Sequence, residues 1–144
     1  MELELKETVI VGLVRDFLLT KKNGNWHEDK VKQSDLHQRG VDLCMRGGSR
    51  NSEYFFIECK GKSYAKSPAG RRSVNSEGWL NALGQIITRM SAKRINKNGT
   101  LNRGYRYGLG LYKVGAQVAL RRIPKNIAQT LNLYIFSVDD DGFV

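Results

Sequence analysis

Apolar residues recur at intervals of three and four through Ile10, Leu13, Val14, Phe17 and Leu18. That period buries one stripe of a helix, so residues 5–22 are predicted helical, with the NGN at 23–25 ending the element. Around Trp26 the segment WHEDKVKQSDLHQ is polar and does not alternate, which leaves room for only a short strand. VDLCM at 41–45 and YFFIECK at 54–60 are the clearer strand runs, and RGGSRNS between them has the glycines and small polar residues of a hairpin loop. Residues 60–78, KGKSYAKSPAGRRSVNSEG, have no period and read as a loop. Ser76 is then the expected cap of a second helix with Trp79, Leu80, Leu83, Ile86, Ile87 and Met90 on one stripe. YGLGLY predicts a further strand, and in the helical stretch after it Pro124 suits the first turn of a new helix. LNLYIFSV predicts a last strand, and acidic DDDGFV a frayed or turning end. No repeat or linker composition interrupts this order, so residues 1–144 are expected to form one mixed α/β domain with helices covering the sheet.

Charge narrows the picture. Twenty-four Lys and Arg against fourteen Asp and Glu give a formal charge of +10 over 144 residues, a balance that favours a polyanionic partner, with nucleic acid first and an anionic membrane second. The longest apolar runs, VIVGLV and YFFI, are far short of the ~20 residues needed to span a bilayer. The acidic start MELELKE lacks the basic and apolar regions of a secretory signal, so a cytoplasmic location is expected. His27, His37, Cys44 and Cys59 are separated by nine, six and fourteen residues, without the close ligand pairs of structural zinc. Alternation puts Cys44 and Cys59 on opposite sheet faces, which argues against a disulfide.

The candidate chemistry lies where an apolar strand ends in charge. Glu58 and Lys60 share a face with Tyr54 and Phe56, whereas Phe55, Ile57 and Cys59 face the other way. A turn centred near residues 48–51 sets Asp42 opposite Glu58, with Cβ atoms roughly 5 Å apart. Like charges so placed destabilise a sheet unless compensated, and a divalent cation bridging both carboxylates compensates them. Hard oxygen donors suit Mg²⁺, which keeps waters and takes further ligands from phosphate. Lys60 beside the ion would assist an attacking water or stabilise charge on the phosphate. A cross-strand ion pair on a solvated face is the competing explanation.

Asp42, fifteen intervening residues and then Glu58-Cys59-Lys60 resemble the signature of the PD-(D/E)XK, or restriction-endonuclease-like, nucleases, with Val41 where the motif name has proline. The order of elements is similar to that superfamily's αβββαβ core, a mixed central sheet flanked by helices, so the likeness spans nearly the whole chain. The resemblance implies a Mg²⁺-dependent deoxyribonuclease, with Mn²⁺ able to substitute. It implies metal ligation by Asp42, Glu58 and the Cys59 carbonyl, and a water-assisting role for Lys60. It adds Glu7 of the first helix as a further acidic, metal-binding contributor and Gln85 of the second as a polar catalytic one, although Glu7 could also simply complement a helix N-terminus and Gln85 an exposed flank. Lys62, Lys66, Arg71, Arg72, Arg89, Lys93, Arg94, Arg103 and Arg106 are candidate phosphate contacts, with a plain solvated surface as the alternative. DNA is the implied partner, no membrane is, and a homodimer fits such small cores. The rival functions are a catalytically silent nucleic-acid-binding module of the same fold and a basic subunit of a larger machine.

Overall fold

A computed structural model describes residues 4–20, 24–29, 42–47, 53–63, 67–90 and 104–144, with only the backbone at 73–76. The elements run α1 (Glu7–Leu19), β1 (His27–Glu28), β2 (Leu43–Gly47), β3 (Glu53–Lys60), α2 (Pro68–Thr88), β4 (Tyr105–Tyr112), α3 (Lys113–Arg122), α4 (Lys125–Leu131) and β5 (Leu133–Val138). The five strands form one sheet in chain order; β1, β2 and β3 pair antiparallel, and β3, β4 and β5 parallel. The chain is therefore α/β, with a mixed sheet flanked by helices. Among the described residues no helix is long and apolar enough to cross a membrane.

Strand alternation builds two cores. Odd residues of β2 and β3, namely Leu43, Met45, Phe55, Ile57 and Cys59, pack with Ile10, Val14 and Leu18 of α1. Even residues Cys44 and Phe56 join Tyr107, Leu109 and Leu111 beneath α2 and α3. Ile10 and Val14 are fully buried, and burial of such a side chain contributes about 1.5–3 kcal/mol. The glycines of YGLGLY allow the first core to close: a Cβ on Gly110 would lie 2.7 Å from Cys59 Sγ and 3.1 Å from Val14 Cγ2. Cys44 and Cys59 are both buried and unbridged, one in each core, as alternation requires.

The stretch 68–78, expected as a loop, belongs to α2. The start is set by Ser67 and Pro68, not by Ser76: Ser67 Oγ accepts the Gly70 N–H at 3.0 Å, and Pro68 stands at the first helical position. Along the same helix Trp79, Ala82 and Ile86 are buried, whereas Leu80 and Ile87, expected on the stripe, are exposed. The helical stretch after β4 divides at Pro124 into α3 and α4. Asn132, left-handed at φ 54°, then turns the chain into β5, a conformation that Asn tolerates. The acidic end turns tightly: Asp139 Oδ1 accepts the N–H groups of Asp141 at 2.9 Å and Phe143 at 3.0 Å.

Candidate active site

β2 and β3 pair with Leu43 opposite Ile57, so one further step of the register brings Asp42 opposite Glu58, as the sequence predicts. The β2 strand starts at Leu43 rather than 41, and Asp42 stands just before it. Its carboxylate takes the place of the missing ladder partner: Oδ2 accepts the Cys59 N–H at 2.8 Å. That bond fixes Asp42 against the end of β3 and satisfies a backbone donor that would otherwise be left bare.

Glu58 is 1% exposed, which removes the picture of a solvated cross-strand pair. Among the described residues its Oε1 has no hydrogen-bond partner. Burial is the main force pushing its carboxyl up to about 8; the Asp42 charge and a hydrogen bond shared with the Asp42 carboxyl act the same way, and only Arg89 opposes them. Such a buried, half-satisfied carboxyl costs stability unless something else serves it.

Glu7 joins the pair from the other layer. It opens α1 three residues before buried Ile10, so it continues the apolar stripe by period, yet it is exposed. Burial of part of its side chain and the Asp42 charge raise its carboxyl, and Lys60 lowers it. The contact that brings α1 to this edge is backbone on backbone. Lys62 N–H donates to Leu5 O at 2.8 Å. A Cβ on Gly61 would lie 2.4 Å from Glu7 N, closer than any side chain permits.

Lys60 ends β3 beneath α2, where Gly78 would carry its Cβ 3.8 Å from the Lys60 Cβ and Cγ. Gly78, Ala82, Gln85 and Arg89 follow one another at helical spacing along this side of α2. Arg89, at the helix C-terminus, acts on Glu58 through its charge, while Gln85 has an exposed side chain on the same side. Cys59 points its side chain into the first core, and burial pushes the thiol well up. A protonated, apolar-packed thiol is no thiolate ligand, so only the backbone of Cys59 is left for coordination.

The predicted phosphate contacts separate into groups. Arg71 and Arg72 are exposed on the first turns of α2. Arg106 is instead built into the fold: it pairs with Glu53 at 3.0 Å and lies over the rings of Trp26 at 5.4 Å and Tyr134 at 5.6 Å. Lys62 is engaged by Asp140 at 3.3 Å. Lys66, Lys93, Arg94 and Arg103 lie outside the described residues. A groove of about 390 Å³ between α2 and α3, lined by Glu77, Trp79, Leu80, Val118, Arg121 and Arg122, shares no residue with the carboxylate cluster.

Asp42 and Glu58 thus meet at the carboxyl end of β3, with Glu7 and Lys60 near enough to be felt through their charges. Among the described residues no three His, Cys, Asp or Glu side chains form a ready metal cage. The two facing carboxyls and the bare Glu58 oxygen nevertheless suit a hard ion that keeps water and substrate oxygens in its remaining positions. Comparison of the chain with protein-family models, with curated proteins and with solved structures gives no match.

Proposed function

We propose that this chain is a divalent-metal-dependent endonuclease of the restriction-endonuclease-like fold, hydrolysing phosphodiester bonds in DNA. One observation carries the reading: a buried glutamate with an oxygen unserved among the described residues, set against a second carboxyl and two residues from a lysine. A purely structural strand end would leave no buried carboxyl oxygen unserved, because such a group is costly whether it keeps its proton or ionises against Asp42. The order of elements and the basic charge support the resemblance from which the preference for DNA comes.

Asp42 and Glu58 would hold Mg²⁺ or Mn²⁺ through their facing oxygens, with the Cys59 carbonyl as a backbone donor. When bound, the ion would polarise the phosphate and lower the pKa of a coordinated water. Asp42 is already oriented by the Cys59 N–H, so its carboxylate needs no reordering. Lys60 would orient the attacking water and stabilise charge gathering on the phosphate oxygens. Glu7 would accept hydrogen bonds from water at the open side of the site, and Gln85 and Arg89 would face the strand from α2.

The test incubates the purified protein with supercoiled plasmid and with branched DNA, in Mg²⁺ or in EDTA. Cleavage in Mg²⁺ that is lost in EDTA and in Glu58→Ala and Lys60→Ala supports the reading. Salt-sensitive binding with no cleavage on either substrate would leave a nucleic-acid-binding module in its place.

A further inference from the structure

The parallel strands β3, β4 and β5 all end at the edge that carries the carboxylates, the edge where open α/β sheets place their ligands. Beside the carboxylate cluster at this edge is a second cluster with the opposite arrangement of charge. Asp140 takes three donors at once: Lys113 Nζ at 2.6 Å on Oδ2, and the Tyr112 hydroxyl at 2.9 Å and Lys62 Nζ at 3.3 Å on Oδ1. Lys62 also lies 5.1 Å from the Tyr112 ring centre. Lys113 begins α3, so the positive end of a ten-residue helix adds to the two ammoniums. Two cations, a phenol and a helix start around one carboxylate make an anion cradle that the chain fills with its own side chain.

We propose that Lys62, Tyr112 and Lys113 bind a backbone phosphate of the nucleic-acid strand next to the candidate cleavage site, and that Asp140 occupies this cradle until the strand displaces it. The identity of the ligand rests on the nuclease reading above; the cradle does not.

Three features carry the argument. Lys62 is two residues beyond Lys60, at most roughly 7 Å of extended chain, and one strand rises about 3.4 Å per nucleotide along a duplex axis. A phosphate one or two steps from the one at Lys60 therefore falls within reach of the cradle. Three of the four side chains are also accessible, with Lys62 24%, Asp140 34% and Lys113 41% exposed, while Tyr112 is mostly buried and lends its hydroxyl from the floor of the cradle. Finally, none of the hydrogen bonds that hold its turn uses the Asp140 carboxylate. The tight turn that presents it is held by Asp139, through its side chain and through the backbone bonds Asp139 N–H to Phe143 O and Gly142 N–H to Asp139 O, both 3.0 Å. The donors hold the Asp140 carboxyl down to about 2, so at neutral pH it is a full anion competing for the same groups as a phosphate.

The experiment measures binding of a short fluorescent duplex in EDTA, where no cleavage intervenes, over a series of salt concentrations. Lys62→Gln and Lys113→Gln are each expected to weaken binding and to reduce the slope of log K against log salt by about 0.9. Asp140→Asn is expected to bind several-fold tighter than wild type and tighter than Asp141→Asn, which removes the same charge from the neighbouring residue outside the cradle. Its gain should vanish in Asp140→Asn combined with Lys113→Gln. The proposal is overturned if both lysine variants keep the wild-type slope, if Asp140→Asn binds no tighter than Asp141→Asn, or if its gain appears on phosphatidylserine vesicles and not on duplex. Loss of the nuclease reading looks different: absent Mg²⁺-dependent cleavage with these binding changes intact removes the enzyme and leaves the cradle.

Discussion

Glu53 opens β3 and Glu58 nearly closes it, and the two meet opposite fates. Glu53 pairs with Arg106 at 3.0 Å, whose guanidinium lies over Trp26 and Tyr134. Glu58 is more deeply buried, yet it faces Asp42 and, among the described residues, leaves one oxygen without a partner. A charge that serves the fold is given its counter-ion by the fold. Among the described residues Glu58 has only the charge of Arg89 to oppose that of Asp42, and on the proposed reading that contrast separates the stabilising end of the strand from the reactive end.

The sharpest way to break the comparison is to neutralise each glutamate and read both activity and stability. On the proposed reading Glu58→Gln should cost cleavage on the order of 10²–10⁴-fold while leaving the metal-free protein as stable as wild type or more so, since the amide keeps a donor toward Asp42 and removes a buried group that ionises as pH rises. Glu53→Gln should do the reverse. Losing a charge-assisted bond that is partly exposed destabilises by about 1–2 kcal/mol, with metal-dependent cleavage retained in plasmid assays at a temperature below both melting points. Equal stability losses in thermal melts would erase the distinction.

The two ends should also answer pH differently. The Glu58 carboxyl rises from 4.5 to about 8 on folding, so between those values the folded chain holds a proton that the unfolded chain has released. Stability in EDTA should therefore fall as pH rises through that window and level off above it. If the pair binds Mg²⁺ as proposed, the ion prefers its ionised form and should reverse the trend, raising the melting temperature most at the alkaline end; stabilisation reaches about 2.7 kcal/mol at a hundredfold excess over Kd. Glu58→Gln should flatten both responses, and Glu53→Gln neither. A wild-type melting profile that is flat across the window in EDTA would show that Glu58 is charged in the folded state and has a partner after all.

How much of this could be read from the sequence depends on the distance over which each feature is specified. Strand alternation and a loop of small residues sufficed for the pairing of β2 and β3, and with it the meeting of Asp42 and Glu58. The first half of α2 was illegible because Arg71, Arg72 and Glu77 are exposed, so these described side chains give no apolar period; Ser67-Pro68 was the signal overlooked. Arg106 looked like one more member of a basic run because its partner Glu53 is 53 residues away, and Asp140 is 78 residues from Lys62. Glu7 entered through family likeness alone, since nothing local in the sequence says that Gly61 lies against its backbone.

That seam supplies a smaller perturbation of the reactive end. Gly61→Ala would push a methyl into Glu7 N and Leu5 O, at 2.4 and 2.7 Å, and both are backbone atoms with no rotamer to yield. The expected cost is about 1–3 kcal/mol, together with a cleavage loss near that of Glu7→Gln, because both changes take the Glu7 carboxylate from the site. Single-turnover cleavage at saturating Mg²⁺ checks it. If Glu7→Gln cleaves like wild type, Glu7 serves only the helix start, and the reactive end contains two carboxylates instead of three.

The smallest effect is expected where neither end of β3 is touched. Gly84 lies in the middle of α2 with nothing within 4 Å of an added Cβ. In a helix interior glycine is worse than alanine by roughly 0.5–1 kcal/mol, so Gly84→Ala should stabilise by that amount in urea melts and leave the Mg²⁺ and pH responses unchanged. Leu80 and Ile87 stand on either side of it at helical spacing and are exposed as well. If alanine destabilises instead, and more so as protein concentration rises, this face of α2 is covered in solution by a second copy, and sedimentation would show the dimer. The reactive end would then have to be judged as one of a pair, with two such carboxylate clusters acting on one substrate.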